Sequence, residues 1–261
     1  MPNTQTQPVS DSTHATLTLP QAIQLAGAAY HERNWNDAEQ LCRLVLDVQP
    51  EYFGALNLLG AITAQTNRLE EAADLLRRAV ALQPDSAAAL NNLGNTLKDL
   101  KQPEAAVASY DRAIAVNPEH EDACACFNRG VVLEELGRLD SAVASYELAI
   151  AIDPEYADAH FNQGCVLYGL QRLDAAVASY DRAIAIRPDY VQAHANRGAT
   201  LSELRQLEGA VVSYDEAIAL NPDYAEAYYN RGIALAELNQ MDAAVASFER
   251  AVAIRREFAE A

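Results

Sequence analysis

Apolar positions along the chain return in a fixed order of small, large and small. Ala106, Tyr110 and Ala113 lie four and three residues apart. The same triplet recurs at Ala72, Leu76 and Ala79, at Ala142, Tyr146 and Ala149, at Ala176, Tyr180 and Ala183, at Ala210, Tyr214 and Ala217, and at Ala244, Phe248 and Ala251. That spacing puts three side chains on one face of a helix, so each triplet predicts a helix, B, of a repeating unit. Twelve residues before each triplet stands a glycine (Gly60, Gly94, Gly130, Gly164, Gly198, Gly232) inside a preceding helix, A. Glycine and alanine allow two antiparallel helices to approach closely, and the large side chain fills the adjacent gap. An acid such as Glu70, Asp140, Asp174 or Asp242 opens helix B, where the positive end of the helix dipole favours it.

Proline punctuates the pattern. Pro50, Pro84, Pro118, Pro154, Pro188 and Pro222 are separated by 34 residues, except for one gap of 36. Pairs such as Asn117-Pro118, Asp153-Pro154 and Asn221-Pro222 end helix B, because the residue before proline is pushed out of the helical region. A period of this size describes a stack of two-helix units, each made of helix A, a tight turn, helix B and a short link.

The spacing of Leu93-Gly94, Leu97, Ala106, Tyr110, Ala113 and Pro118 resembles the tetratricopeptide repeat (TPR) pattern. The resemblance covers nearly the whole chain. It implies an all-α, right-handed superhelical solenoid of about seven repeats, at approximately 19–52, 53–86, 87–120, 123–156, 157–190, 191–224 and 225–258. The first repeat departs most, with Ala26 in the glycine slot and Cys42 in the ring slot. Its start, Thr18-Leu19-Pro20-Gln21, reads as a capping box with proline in the first turn.

Composition narrows the partners. Nineteen Lys and Arg against 37 Asp and Glu give a formal charge of −18, a field that repels phosphate backbones and anionic membranes. A neutral or basic polypeptide fits better. Residues 1–16 are rich in Thr, Gln, Ser and Pro, lack the basic start and apolar core of a secretory signal, and read as a disordered lead-in to a solenoid over 17–261. No apolar run reaches the length of a membrane span. Cys42, Cys124, Cys126 and Cys165 lack disulfide-like spacing, which fits a reducing compartment, and cytoplasm is the expected location.

Two defects interrupt the period. Two extra residues near 121–122 lengthen the link or the start of helix A before Gly130 and predict a local change of repeat angle. At the other end, Ala259-Glu260-Ala261 resembles the start of an eighth repeat, and Arg256 stands where a seventh proline is due. Helix B of repeat seven is then expected to expose apolar surface. That implies either continuation of the chain or self-association through this end.

Function is sought on helix A, which lines the concave face in the family. Two residues before the glycine stand Asn92, Asn128, Asn162, Asn196 and Asn230. A primary amide donates and accepts together, so such a row can hold an extended peptide backbone without reading its side chains. The alternative is that the amides bond the neighbouring repeat. Phe127, Phe161 and Tyr229 precede three of these asparagines; they either grip a guest's apolar side chains or pack between helices. Glu134, Glu135, Glu203 and Glu237 read as solvated charges. Cys126, His160 and His194 share one slot, but successive A helices stand too far apart for their side chains to converge at about 2 Å on one ion. Core packing is the reading there, and no metal or cofactor is expected.

Carboxylate-clamp TPR proteins use Lys and Arg at set slots, which Ile23, Asn57, Asn91 and Ala88 occupy here; Lys98 alone does not make the set. The chain has no phosphate loop, nucleophile elbow or metal-ligand motif, and no enzymatic activity is expected. The leading expectation is a non-enzymatic scaffold holding an extended polypeptide. The asparagine row also resembles the TPR region of protein O-linked N-acetylglucosamine transferases, which implies, as the alternative, a substrate-recruiting arm whose catalytic part lies outside this chain.

Overall fold

The computed structural model describes residues 8–10, 16–116 and 123–260. The chain divides into two compact units, Met1–Val132 and Leu133–Ala261. In the first, α1 (Leu19–His31) pairs with α2 (Trp35–Val48), α3 (Phe53–Gln65) with α4 (Leu69–Leu82), and α5 (Ala87–Asp99) with α6 (Pro103–Val116). The division falls within α7 (Ala123–Glu135), which α8 (Leu139–Ile152) follows. In the second unit α9 (Ala157–Gly169) pairs with α10 (Leu173–Ile186), α11 (Val191–Glu203) with α12 (Leu207–Leu220), and α13 (Ala225–Glu237) with α14 (Met241–Glu260). Helix B also packs on the next helix A, as α2 does on α3, α4 on α5, α8 on α9, α10 on α11 and α12 on α13. Consecutive A helices touch directly in both units: α1 with α3, α3 with α5, α9 with α11, and α11 with α13. The result is an all-α helical-repeat fold.

The small-large pairing read from the sequence is the geometry of the hairpins that hold Gly60, Gly94, Gly164, Gly198 and Gly232. A methyl group added at Gly94, Gly164 or Gly232 would stand 2.6 Å from a ring carbon of Tyr110, Tyr180 or Phe248, and one added at Gly60 equally close to Leu76. Tyr110, Tyr146, Tyr180 and Tyr214 are buried, beside buried alanines at the flanking slots. No larger residue fits at the glycine slots without moving a packed ring.

The A–B turn carries a feature the repeat pattern hides. Arg33, Asn67, Lys101, Gln171, Arg205 and Asn239 all adopt φ near +60°, and Gly137 takes +70° at the equivalent slot. The hydrogen bonds explain why. Gln171 N–H donates to the Tyr168 carbonyl and Arg172 N–H to the Leu167 carbonyl, and the same pair of bonds closes the other turns. This is the Schellman termination, which needs a left-handed residue just past the helix. Six of the seven turns hold a residue with a Cβ in that conformation, at a cost of about 1–2 kcal/mol each. The other link is a proline turn: Tyr156 N–H donates to the Asp153 carbonyl across Pro154, as Tyr190 does to Arg187 across Pro188. The residue before the proline is extended, with Asp153 at φ −125° and ψ 92°.

At the amino end Thr18 forms the expected capping box with Gln21, and Pro20 lies in the first turn of α1. The expected disorder over 1–16 does not extend to its described part. There β1 (Pro8–Ser10) pairs antiparallel with β2 (Thr16–Thr18). The link carrying the two-residue insertion (117–122) lies outside the described residues. At the other end the expected start of an eighth repeat at 259 is replaced by helix. α14 runs unbroken to Glu260, six residues beyond the point where α12 ends in its own repeat, because Arg256 stands in the proline slot and nothing terminates it.

Candidate peptide-binding face

Asn92, Asn128, Asn162, Asn196 and Asn230 fall on α5, α7, α9, α11 and α13, and all five are half-buried. The structure uses most of them between repeats. Asn92 Nδ2 donates to Asn57 Oδ1 of the preceding A helix at 3.1 Å, and Asn128 Nδ2 donates to Asn95 Oδ1 at 3.0 Å. The Tyr110 hydroxyl donates to the same Asn95 oxygen at 2.7 Å, so ring and amide share one acceptor. In the second unit Asn196 Nδ2 lies 3.4 Å from Cys165 Sγ. Asn162 and Asn196 also act on the buried hydroxyls of Tyr146 and Tyr180, where their amides favour the ionised phenol. Burial, before any other cause, raises both phenols well above the ordinary tyrosine range, so these rings stay neutral. Asn230 has no hydrogen-bond partner among the described residues.

The amides therefore take the inter-repeat role that the sequence left as the alternative, without exhausting their capacity. Each carries two N–H donors and an oxygen with two acceptor sites. Asn92 lines an open depression of about 200 Å³ with Asn95, Thr96, Asp99, Gln65 and Tyr30. Asn196 lines one of about 250 Å³ with Cys165, Tyr168, Ala199 and Glu226. Both depressions are built mainly from A helices, and each has an acid at its edge.

The rings do less uniform work. Phe161 packs 4.7 Å from the Tyr190 ring and 6.0 Å from Tyr180, so it belongs to the packing between helices. Tyr229 lies 5.7 Å from Phe248 but remains 49% exposed. Phe127 is half-buried on α7. Three of the acids read as solvated charges are engaged. Glu134 accepts from the Tyr146 hydroxyl at 3.1 Å, Glu203 from Tyr168 at 2.5 Å, and Glu237 pairs with Arg205 at 2.5 Å. Burial drives the shared slot of Cys126, His160 and His194 toward packing. Cys126 is fully buried, while His160 Nε2 and His194 Nε2 bond the carbonyls of Pro154 and Pro188 at 3.1 and 2.9 Å. Desolvation lowers the His160 pKa, favouring the neutral ring.

One recurring device was missed in the sequence. Arg129, Arg197 and Arg231, each one residue before the glycine, reach the preceding helix B and pair with Asp111, Asp181 and Asp215 at 2.6, 2.5 and 2.6 Å. Arg197 and Arg231 also donate to Ser213 and Ser247 of their own helix B, at 2.6 and 2.8 Å. One arginine thus joins three helices. The signal was present: Asn-Arg-Gly recurs at 128–130, 196–198 and 230–232, each after a Tyr-Asp pair one repeat earlier. Where Gln163 replaces the arginine, the preceding pair is Tyr146-Glu147, and Gln163 Oε1 accepts from Ser179 instead.

Tetratricopeptide repeat models match the chain at residues 60–101 and 202–239, 85–155, 127–191 and 225–258. The chain belongs to the tetratricopeptide repeat family. TPR arrays are protein-interaction scaffolds, and this one is a scaffold of that kind. Among solved structures it is similar to PilF of Pseudomonas aeruginosa, with a TM-score of 0.71 and 19% identity over 80% of this chain and 94% of that one. It is also similar to YrrB, described as a TPR protein with an unusual peptide-binding site, with a TM-score of 0.63 and 22% identity over 71% of this chain and 95% of that one. MamA matches with a TM-score of 0.62 and 21% identity, over 65% of this chain and 98% of that one. At these identities the likeness is one of fold. No curated protein matches the chain. Among the described residues no helix is long and apolar enough to cross a membrane.

Proposed function

We propose that the chain is a non-enzymatic scaffold that holds an extended, neutral-to-basic polypeptide against its A helices, with the asparagines as the backbone contacts. The observation that carries this reading is the state of the amides: half-buried, held by a neighbour, and lining open depressions at Asn92 and Asn196. An amide oriented by one internal bond presents its remaining donor and acceptor at little further entropic cost. Asp99 and Glu226 at the edges of the depressions, together with the formal charge of −18, favour basic over acidic guests. Tyr229, the most exposed of the three rings, is the apolar contact.

Asn230 is the discriminating position, because replacing it removes no internal hydrogen bond. The test is binding to an immobilised library of unstructured peptides, followed by calorimetry on the selected sequence. Asn230→Ala and the triple variant Asn128→Ala/Asn162→Ala/Asn196→Ala are expected to weaken binding while circular dichroism stays native. Unchanged affinity in both folded variants refutes the reading.

A further inference from the structure

Within the second unit one tyrosine–carboxylate pair shows what such a pair accepts. The Tyr190 hydroxyl donates to Asp158 Oδ1 at 2.9 Å, while Arg187 donates to both oxygens of the same carboxylate, at 3.0 Å each. The Arg187 guanidinium lies 4.5 Å from the centre of the Tyr190 ring, so one cation is held by charge and by a ring face together. Tyr168 and Glu203 form the same kind of pair. The Tyr168 hydroxyl donates to Glu203 Oε1 at 2.5 Å, and Glu203 has no cationic partner among the described residues. One repeat later the equivalent acid, Glu237, is paired with Arg205 of the turn before it. The turn residue equivalent to Arg205 beside Glu203 is Gln171, which carries no charge. Tyr146, which donates to Glu134, is fully buried and has no ring face for a cation to reach. Tyr168, by contrast, is half-buried and lines the open depression of about 250 Å³ with Cys165, Asn196, Ala199 and Glu226.

We infer that this depression is an arginine subsite, in which a guest arginine lies on the Tyr168 ring and donates to the Glu203 carboxylate. Tyr168 occupies one acceptor site of that carboxylate, as Tyr190 does on Asp158, and leaves one site on Oε1 and both on Oε2. A planar guanidinium stacks and donates two parallel N–H groups at once; a lysine ammonium cannot. Glu226 adds a second negative charge at the edge. Cys165, whose thiol burial keeps protonated, joins Ala199 as apolar surface for the aliphatic stem. Asn196 in the same lining sets the subsite beside a backbone contact of the proposed groove. The identity of the guest, an extended polypeptide carrying arginine, rests on that groove reading.

The probe is N-acetylarginine N-methylamide, titrated into the isotope-labelled full chain and followed by NMR. Saturable shifts at Tyr168 and Ala199 are expected. The citrulline analogue, neutral and of nearly the same shape, should bind at least about tenfold more weakly, and the lysine analogue several-fold more weakly. Glu203→Gln keeps an acceptor for the Tyr168 hydroxyl and removes only the charge; it should weaken the arginine probe at least about tenfold. Gln171→Arg, which copies the Arg205 turn, should also weaken it by giving Glu203 an internal cation. No saturable shift at Tyr168 and Ala199, equal binding of the citrulline analogue, or binding that Glu203→Gln leaves unchanged overturns the inference. The groove and the subsite fail separately. A peptide library without a binder, beside a probe that saturates the native chain and not Glu203→Gln, overturns the groove and leaves the subsite. Selected peptides that Glu203→Gln leaves unaffected remove the subsite and leave the groove.

Discussion

Gly164→Ala isolates the glycine–ring contact that recurs along the array. The substitution has two opposed effects. In a helix interior alanine is favoured over glycine by about 1 kcal/mol. Against that, the new methyl would stand 2.6, 2.8 and 3.0 Å from Cε1, Cδ1 and Cζ of Tyr180, a ring that is 1% exposed. Forcing extra volume into a packed core costs about 1–3 kcal/mol, so a net loss of up to about 2 kcal/mol is expected. Gly27→Ala is the internal control. Gly27 lies inside α1, and its added methyl meets nothing within 4 Å, so the same chemical change should stabilise the protein by about 1 kcal/mol. Gly232→Ala should fall between, since its contact is also 2.6 Å but Phe248 is only half-buried and has room to turn. Urea titration followed by circular dichroism reads all three as shifts of midpoint, which remains meaningful if the array does not unfold in a single step. If Gly164→Ala raises the midpoint as Gly27→Ala does, close helix approach is not what keeps glycine in that slot.

Gln171→Gly should raise the urea midpoint by up to about 1 kcal/mol of stability, because Gln171 holds φ +60° at an exposed turn; Gly137→Gln should lower it comparably. Arg197→Ala breaks the Asp181 pair and the Ser213 bond together, and should cost about 1 kcal/mol, with Arg197→Lys recovering only part. Hydrogen bonds from Arg68, and secondarily Arg43, hold the Glu39 carboxyl at about 2, below its ordinary 4.5. With the folded pKa depressed, its stabilisation is full above about pH 4.5 and lost as pH falls toward 2. The stability gap between the native chain and Glu39→Gln, measured by urea titration across that window, should therefore close on acidification.

Much of the fold was legible because hairpin packing leaves a mark on residue size. Glycine facing a ring recurs as a spacing, and so does the proline that ends helix B. The turns were less legible: a left-handed residue usually announces itself as glycine, yet only Gly137 does so here, while arginine, lysine, asparagine and glutamine occupy the other turns. The candidate site was legible in position only. Periodicity placed the asparagines on one face of helix A, but whether an amide turns outward or to Asn57, Asn95 or Cys165 depends on what lies within 3–3.5 Å of it. The arginine clasps were hidden for the same reason, since Arg197 and Asp181 are 16 residues apart and meet only when α10 and α11 pack.

By itself, then, the sequence determined the repeat, the helix-turn-helix unit, the small-large packing and the face on which the asparagines lie, all of which follow from local spacing and side-chain volume. Only the tertiary structure decided which polar groups spend their bonds between repeats, and that α14 runs on through Arg256. Those outcomes depend on the distances between neighbouring helices, and a periodic sequence states which residues are equivalent without stating what each one touches.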